Sequence, residues 1–309
     1  MENFYQKPLE MIFCTIISSD YLPWALTLND SLRSNGYFQK LHVLVADEGN
    51  VKVNENLEII RLSDIYTQEY PDVFQLGAQE LRWATKPILI KYLIKKHPQI
   101  CYMDCDIFVT NNIDIIIEEL GSSKALLTPH YRSRNPRKDA EEFKFNYKHG
   151  LFNAGFIAFN KSGEEILDWW ASCCNYRCEK NLNEGLWDDQ RYLDAIPVFF
   201  EGVKICKHPG FNVAFWNKNE LIRSIENGQT LLNGKELVFI HFAYTTWNEI
   251  NNGEDGIDPK YANEFNHLLI KNGWKSDLNT KYLERITKKE PSGIFVRLKN
   301  KTRWVLYRR

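Results

Sequence analysis

"CYMDCDIFVTNN", residues 101–112, sets two aspartates, Asp104 and Asp106, one residue apart at the end of an apolar run. With Gln99 and Ile100 the run "QICYM" reads as a buried strand, and both acids follow its carboxyl end. In open α/β sheets ligands bind beyond the carboxyl ends of the strands. Two Asp after a strand are also a common solvated turn. Here Tyr102, Met103, Ile107, Phe108 and Val109 embed the pair in apolar sequence. Carboxylates held in such surroundings need a compensating cation. Carboxylate oxygens suit hard divalent ions such as Mg²⁺ and Mn²⁺.

Working outward, "MIFCTIIS" (11–18) reads as a first buried strand. "YLPWALTLNDSLRSNG" has helical spacing, with Gly36 as its stop. "KLHVLVAD" (40–47) and "LEIIRLSDI" (57–65) read as strands two and three. Residues 78–98 read as a helix with a break at Pro87. "IDIIIEEL" (113–120) reads as a helix and "KALLTP" (124–129) as a strand. Residues 131–148 are polar, basic and aromatic without a clear period, and read as a mobile loop or lid. "LFNAGFIAFN" (151–160) is apolar around an Ala-Gly pair, and "EEILDWWASCCN" reads as a helix. A further helix is expected from about Asp188. A strand over 236–244 ends near His241, and an amphipathic helix covers 261–273. Strand–helix–strand order predicts an α/β fold with a mostly parallel central sheet flanked by helices.

The chain of 309 residues, 44% hydrophobic and 26% charged, can bury a large core in one large domain or two modest ones. No apolar run reaches spanning length, and "MENFYQKPLE" lacks the pattern of a secretory signal. The seven cysteines include two within expected core strands and lack paired zinc-ligand spacing, which predicts reduced thiols in a cytoplasmic protein. Residues 285–309 hold five Arg and four Lys against one Glu, a net of +8. The preceding 284 residues therefore carry about nine excess negative charges. This divides the chain into a body, 1–284, and a basic amphipathic tail, 285–309. The tail suits an anionic membrane surface, here the inner face of the cell membrane, or a helix packed on the acidic body. An acidic body disfavours nucleic acid.

Two more segments bear on the aspartates. His241 follows "LVFI" at a strand end, and a neutral imidazole beside two carboxylates favours Mn²⁺ over Mg²⁺. In "WDDQ" (187–190) one Asp suits a helix cap, and the other, with Gln190, suits hydrogen bonding to a sugar.

In chain order, "SSDYLPWALTLNDSL", "RWATKP", "YMDCDIF", "LFNAGFIAFN", "DDQRYL", "HPGFNVAFWN" and "IHF" resemble the nucleotide-sugar glycosyltransferases of the GT-A fold. The series is most similar to glycosyltransferase family 8, which holds glycogenin and bacterial lipopolysaccharide hexosyltransferases. It spans roughly Met11 to His241. The resemblance implies transfer of a hexose from a UDP-sugar to a saccharide or lipid-linked acceptor in surface glycan synthesis, with retention. It implies Asp104, Asp106 and His241 as ligands of Mn²⁺ (or Mg²⁺). Thr15, Ile17 and Asp20 would cradle the nucleoside, and Lys86, Asp104 and Cys105 would contact the donor. Asn153 would face the donor sugar, Asp189 would bind its hydroxyls, and Gln190 would lie near the anomeric carbon. The family follows its metal histidine with glycine, lysine and Pro-Trp; this chain has "HFAYTTWN". Lys207, Lys218 and Arg132 are the candidates to replace that lysine. If the reaction inverted, Asp189 would be the base. A sugar nucleotidyltransferase shares such a sheet but needs a Gly-rich loop that "SSDYLPWAL" lacks. A non-catalytic carbohydrate-binding protein is the other alternative.

Overall fold

The computed structural model describes residues 11–52, 54–243 and 245–275. The tail at 285–309 and the proposed boundary at 284 lie outside the described residues. Seven strands set the frame: β1 (Met11–Ile17), β2 (Leu41–Val45), β3 (Leu57–Arg61), β4 (Gln99–Met103), β5 (Ile107–Val109), β6 (Ala125–Pro129) and β7 (Phe152–Asn160). The central sheet runs from an edge strand, Val203–Ile205, through β6, β7, β4, β1 and β2 to β3. β7 is antiparallel to both β4 and β6, and the other pairings are parallel. The mostly parallel α/β sheet expected from the sequence is therefore present. Every residue of β1 is buried, as unbroken apolar runs require when helices cover both faces.

One face of the sheet packs on Lys86–Ile94 and Glu164–Tyr176 through Leu89, Leu93, Ile166 and Trp170. The other packs on Leu22–Ser34 and Asp114–Leu120 through Leu28, Leu32, Ile116 and Leu120. All seven cysteines are free thiols. Among the described residues no helix is long and apolar enough to cross a membrane.

Several sequence expectations need correction. The helix expected over 78–98 is two, Ala78–Ala84 and Lys86–Ile94, with Pro87 in the first turn of the second, where its missing N–H costs no bond. The third strand stops at Arg61 and turns into the short helix Leu62–Ile65. The segment read as a loop over 131–148 contains the helix Ala140–Lys148, capped where the Glu142 N–H donates to Asp139 Oδ1 at 3.0 Å. None of its residues is buried, so it leaves no apolar period to read. No α-helix starts at Asp188; that residue sits at φ +46° and a 3₁₀ segment, Gln190–Ala195, follows. The strand expected over 236–244 shrinks to Phe239–His241.

Candidate active site

β4 delivers Asp104 and Asp106 to the carboxyl edge of the sheet, and β7 holds the turn in place. The Asp104 N–H donates to the Gly155 carbonyl at 2.7 Å. The chain reverses into β5, which pairs antiparallel with Phe239–His241. That register sets His241 opposite Ile107 and brings its Nε2 to 3.0 Å from Asp106 Oδ1 and 4.0 Å from Asp104 Oδ2. One ligand atom from each of the three residues lies within 4.8 Å of the others. The donor set, two carboxylates and an imidazole, fits a hard-to-borderline divalent ion. His241 is buried and both aspartates are half-buried. Burial acts to lower the His241 pKa, but the Asp106 carboxylate outweighs it and the pKa is raised.

Lys86, at the start of its helix, reaches under the turn. Its Nζ lies 3.6 Å from Asp104 Oδ1 and 3.4 Å from Asp189 Oδ2, and donates to the Ala154 carbonyl at 3.3 Å. Burial disfavours the ammonium, but Asp104, Asp189 and Asp188 outweigh that and raise its pKa. Burial pushes the Asp189 carboxyl up to about 8 against the pull of Lys86. Of the adjacent acids, Asp188 accepts from the Gln190 N–H at 3.0 Å, while Asp189 holds the cap position of the 3₁₀ segment without a side-chain cap bond. Asp189 is the one turned inward, its carbonyl accepting from Trp170 Nε1 at 2.9 Å.

Gln190 and Asn153 form one amide network. Gln190 Oε1 accepts from the Ala154 N–H at 3.2 Å, and its Nε2 donates to the His149 carbonyl at 2.9 Å. Asn153 Oδ1 accepts from the Gly155 N–H at 2.9 Å, and its Nδ2 lies 3.2 Å from His130 Nε2. Burial, with Arg132 nearby, lowers the His130 pKa well below 6.5, so a neutral ring accepts that bond.

Asp104, Asp106, His241, Asn153 and Gln190 line one cleft of about 670 Å³, with Trp83, Trp187 and Trp216 in its walls. The sequence-derived positions Thr15, Ile17, Asp20, Cys105, Lys86 and Asp189 do not line it, whereas Asp188 does. Thr15 and Ile17 are buried within β1, Asp20 is exposed and accepts from Ser18 Oγ at 2.6 Å, and Cys105 packs against apolar neighbours. Of the three candidate cations Arg132 lines the cleft, whereas Lys207 and Lys218 do not. Lys180, which sequence reasoning missed, lines it too, 4.8 Å from the Trp187 ring centroid.

Asn212 was also missed, although it lies in the quoted segment "HPGFNVAFWN". It is fully buried and its Oδ1 is 3.2 Å from His241 Nδ1. An acceptor there fixes the proton on Nδ1 and turns Nε2 towards the aspartates. Arg223, paired with Asp255, also bonds Asn217 at 2.7 Å, and Asn217 donates to the Asn212 carbonyl at 2.9 Å. If Asp104, Asp106 and His241 hold Mn²⁺, Asn212→Ala is expected to weaken its binding by about 10- to 100-fold. Asn212→Asp, which keeps an acceptor and tolerates the φ of +53°, should retain more of it. Titration calorimetry with Mn²⁺ checks this; an Ala variant with normal affinity and only a lower Tm would make Asn212 purely structural.

A mostly parallel sheet with one antiparallel strand inside it carries an Asp-x-Asp turn and a histidine at its carboxyl edge, and its likeness to solved glycosyltransferases makes the fold GT-A. No family model matches the chain. It is 27% identical over 248 residues to YfnF, an uncharacterized protein of Bacillus subtilis strain 168, covering 75% of this chain and 80% of that one. Among solved structures it is similar to the galactosyltransferase LgtC in complex with donor and acceptor sugar analogues. That match has a TM-score of 0.53 at 14% identity and covers 84% of this chain and 96% of that one. An LgtC variant with an active-site glutamine changed to glutamate matches with a TM-score of 0.50 at 13% identity, over 84% of this chain and 96% of the other.

Proposed function

We propose that the protein is a metal-dependent glycosyltransferase that moves a hexose from a UDP-sugar to a saccharide or lipid-linked acceptor of a surface glycan, with retention. The observation that carries this reading is the meeting of Asp104, Asp106 and His241 with Lys86, Asp189, Asn153 and Gln190 at one strand edge. LgtC, solved with donor and acceptor sugar analogues, supports a sugar donor and a sugar acceptor here. Gln190 lines the cleft beside Asn153 and the three ligand residues, which supports a role for it at the sugar.

Asp104, Asp106 and His241 would hold Mn²⁺, or Mg²⁺. When bound, the metal supplies Lewis-acid stabilisation of the charge that develops on a departing diphosphate. Lys86 adds a fixed cation beneath the turn and keeps Asp104 oriented. Of the three candidates to replace the family lysine, Arg132 lines the cleft, paired with Glu142, and would take the leaving diphosphate. Asn153 and Gln190 present amides fixed by backbone bonds, so they order a sugar without first reorganising. Retention agrees with the place of Asp189: buried, held by Lys86 and outside the lining of the cleft, it is poorly placed to take a proton from an acceptor. The acceptor proton then leaves with the donor phosphate on the same face.

A ligand that binds only the folded state raises its unfolding midpoint. UDP with Mn²⁺, well above its Kd, should raise Tm by roughly 5 °C, and UDP alone by much less. A rise with GDP instead would overturn the donor and keep the metal. No rise with any nucleotide would sink the transferase reading.

A further inference from the structure

Arg132 lines the catalytic cleft and also a second cavity, a groove of about 820 Å³. That volume is within the range of small-molecule sites. The helix Ala140–Lys148 separates the two, and it points rings both ways. Phe145 lines the cleft, while Phe143 and Tyr147, one turn apart and 5.3 Å between centroids, line the groove. Leu151 and Ile205 continue this wall, and with Tyr147 they stand exposed. Ring faces and aliphatic groups held open to water suit the C–H faces of sugars.

The charges of the groove are uneven. Arg134 is paired with Glu220 at 3.2 Å, and Arg132 with Glu142. Lys207 and Lys235 also line it, and neither has an ion-pair partner among the described residues. Two unpaired ammonium groups beside a ring-lined wall favour an anionic group on the same ligand.

We propose that this groove is a distal acceptor subsite for a saccharide bearing a carboxylate or phosphate, holding the part of the acceptor behind the sugar that is extended. Its place in transfer rests on the glycosyltransferase reading; its binding does not, and is measured without donor or metal. The probes are tri-galacturonate for the carboxylate, mannopentaose phosphate for the phosphate, maltotriose as the neutral saccharide, and dodecyl phosphate as an anion without sugar. Titration calorimetry uses the full chain at low salt. At least one acidic saccharide is expected to bind, and maltotriose about tenfold more weakly. Lys207→Glu with Lys235→Glu should lose about tenfold for the acidic saccharide, and Tyr147→Ala several-fold. Both variants should hydrolyse UDP-sugar at the wild-type rate, because these residues stand outside the cleft. Wild-type affinity in the double variant would overturn the proposal. So would dodecyl phosphate binding as tightly as either acidic saccharide, or neither of them binding. Groove binding in a protein that neither binds nor hydrolyses a nucleotide sugar would keep the saccharide-acid site and overturn its place in transfer.

Discussion

Asp106→Asn is expected to lower transfer by about 10³-fold while the protein stays folded. The substitution keeps size and shape and removes one negative charge from a side chain that is 29% exposed. The remaining pair, Asp104 and His241, still meets, but with one anionic ligand instead of two. On the proposed mechanism, a metal held that weakly would no longer stabilise the charge that builds on a leaving diphosphate. The variant also changes the response to pH. In the wild type, burial lowers the His241 pKa and Asp106 more than restores it, to a value above the usual 6.5. Without metal, this raised pKa contributes stability that is full below pH 6.5 and is lost as pH climbs through the folded value. A metal competes with that proton, so Mn²⁺ binding should tighten over the same rise. In Asp106→Asn the raising charge is gone, burial dominates, and both pH effects should shrink. Turnover, Mn²⁺ titrations and Tm across pH 5–8 (roughly, the range in which histidine titrates) check the set. Near-normal turnover in the Asn variant would remove the metal from the reaction.

The aspartates were legible because a buried strand has a readable apolar run, and acids at its end stand out against it. His241 was legible for the same reason. What the sequence did not display was their meeting. That depends on β5, three residues long, pairing antiparallel with Phe239–His241. A pairing so short leaves no period in sequence, and a shift of one residue would turn His241 away from Asp106. The sequence left open which of Asp188 and Asp189 turns to the site: Asp188 and Gln190 line the cleft while Asp189 is buried beneath it against Lys86, and the local structure is a 3₁₀ segment rather than an α-helix. Asn212 escaped notice because its partner is 29 residues away, and nothing near it in sequence marks a bond to a histidine. The helix Ala140–Lys148 escaped because it stands between two cavities and buries nothing. Thr15 and Ile17 show the opposite: a strand-end position inferred by resemblance falls on side chains that point into the core.

Gly155→Ala should be nearly as damaging as the loss of a ligand, although Gly155 binds nothing through a side chain. It lies in β7 where the β6–β7 register shifts, between the pairs at Leu127 and Pro129. A Cβ added there would stand 2.5 Å from His241 Cε1, 2.7 Å from Asn153 Oδ1 and 2.8 Å from Asp104 Oδ2. All three distances are too short for a real contact, so something must move. β7 itself resists, held on both edges by β4 and β6. His241 is pinned by Asn212 on one side and by Trp216, 5.2 Å between centroids, on another. Asn153 is locked by the Gly155 N–H and His130. The Asp104 carboxylate, 32% exposed, has the most room, although the Tyr102 hydroxyl donates to it at 2.7 Å. The added methyl therefore displaces Asp104, a proposed metal ligand, first. A misplacement of about 1 Å in such a site costs roughly 10²-fold in rate. Overpacking should lower stability by about 1–3 kcal/mol. Mn²⁺ affinity separates the two effects, because a general loosening would spare the metal site until the protein unfolds. If Gly155→Ala bound Mn²⁺ as the wild type does, the close packing of β7 against Asp104 and His241 could not be what shapes the site.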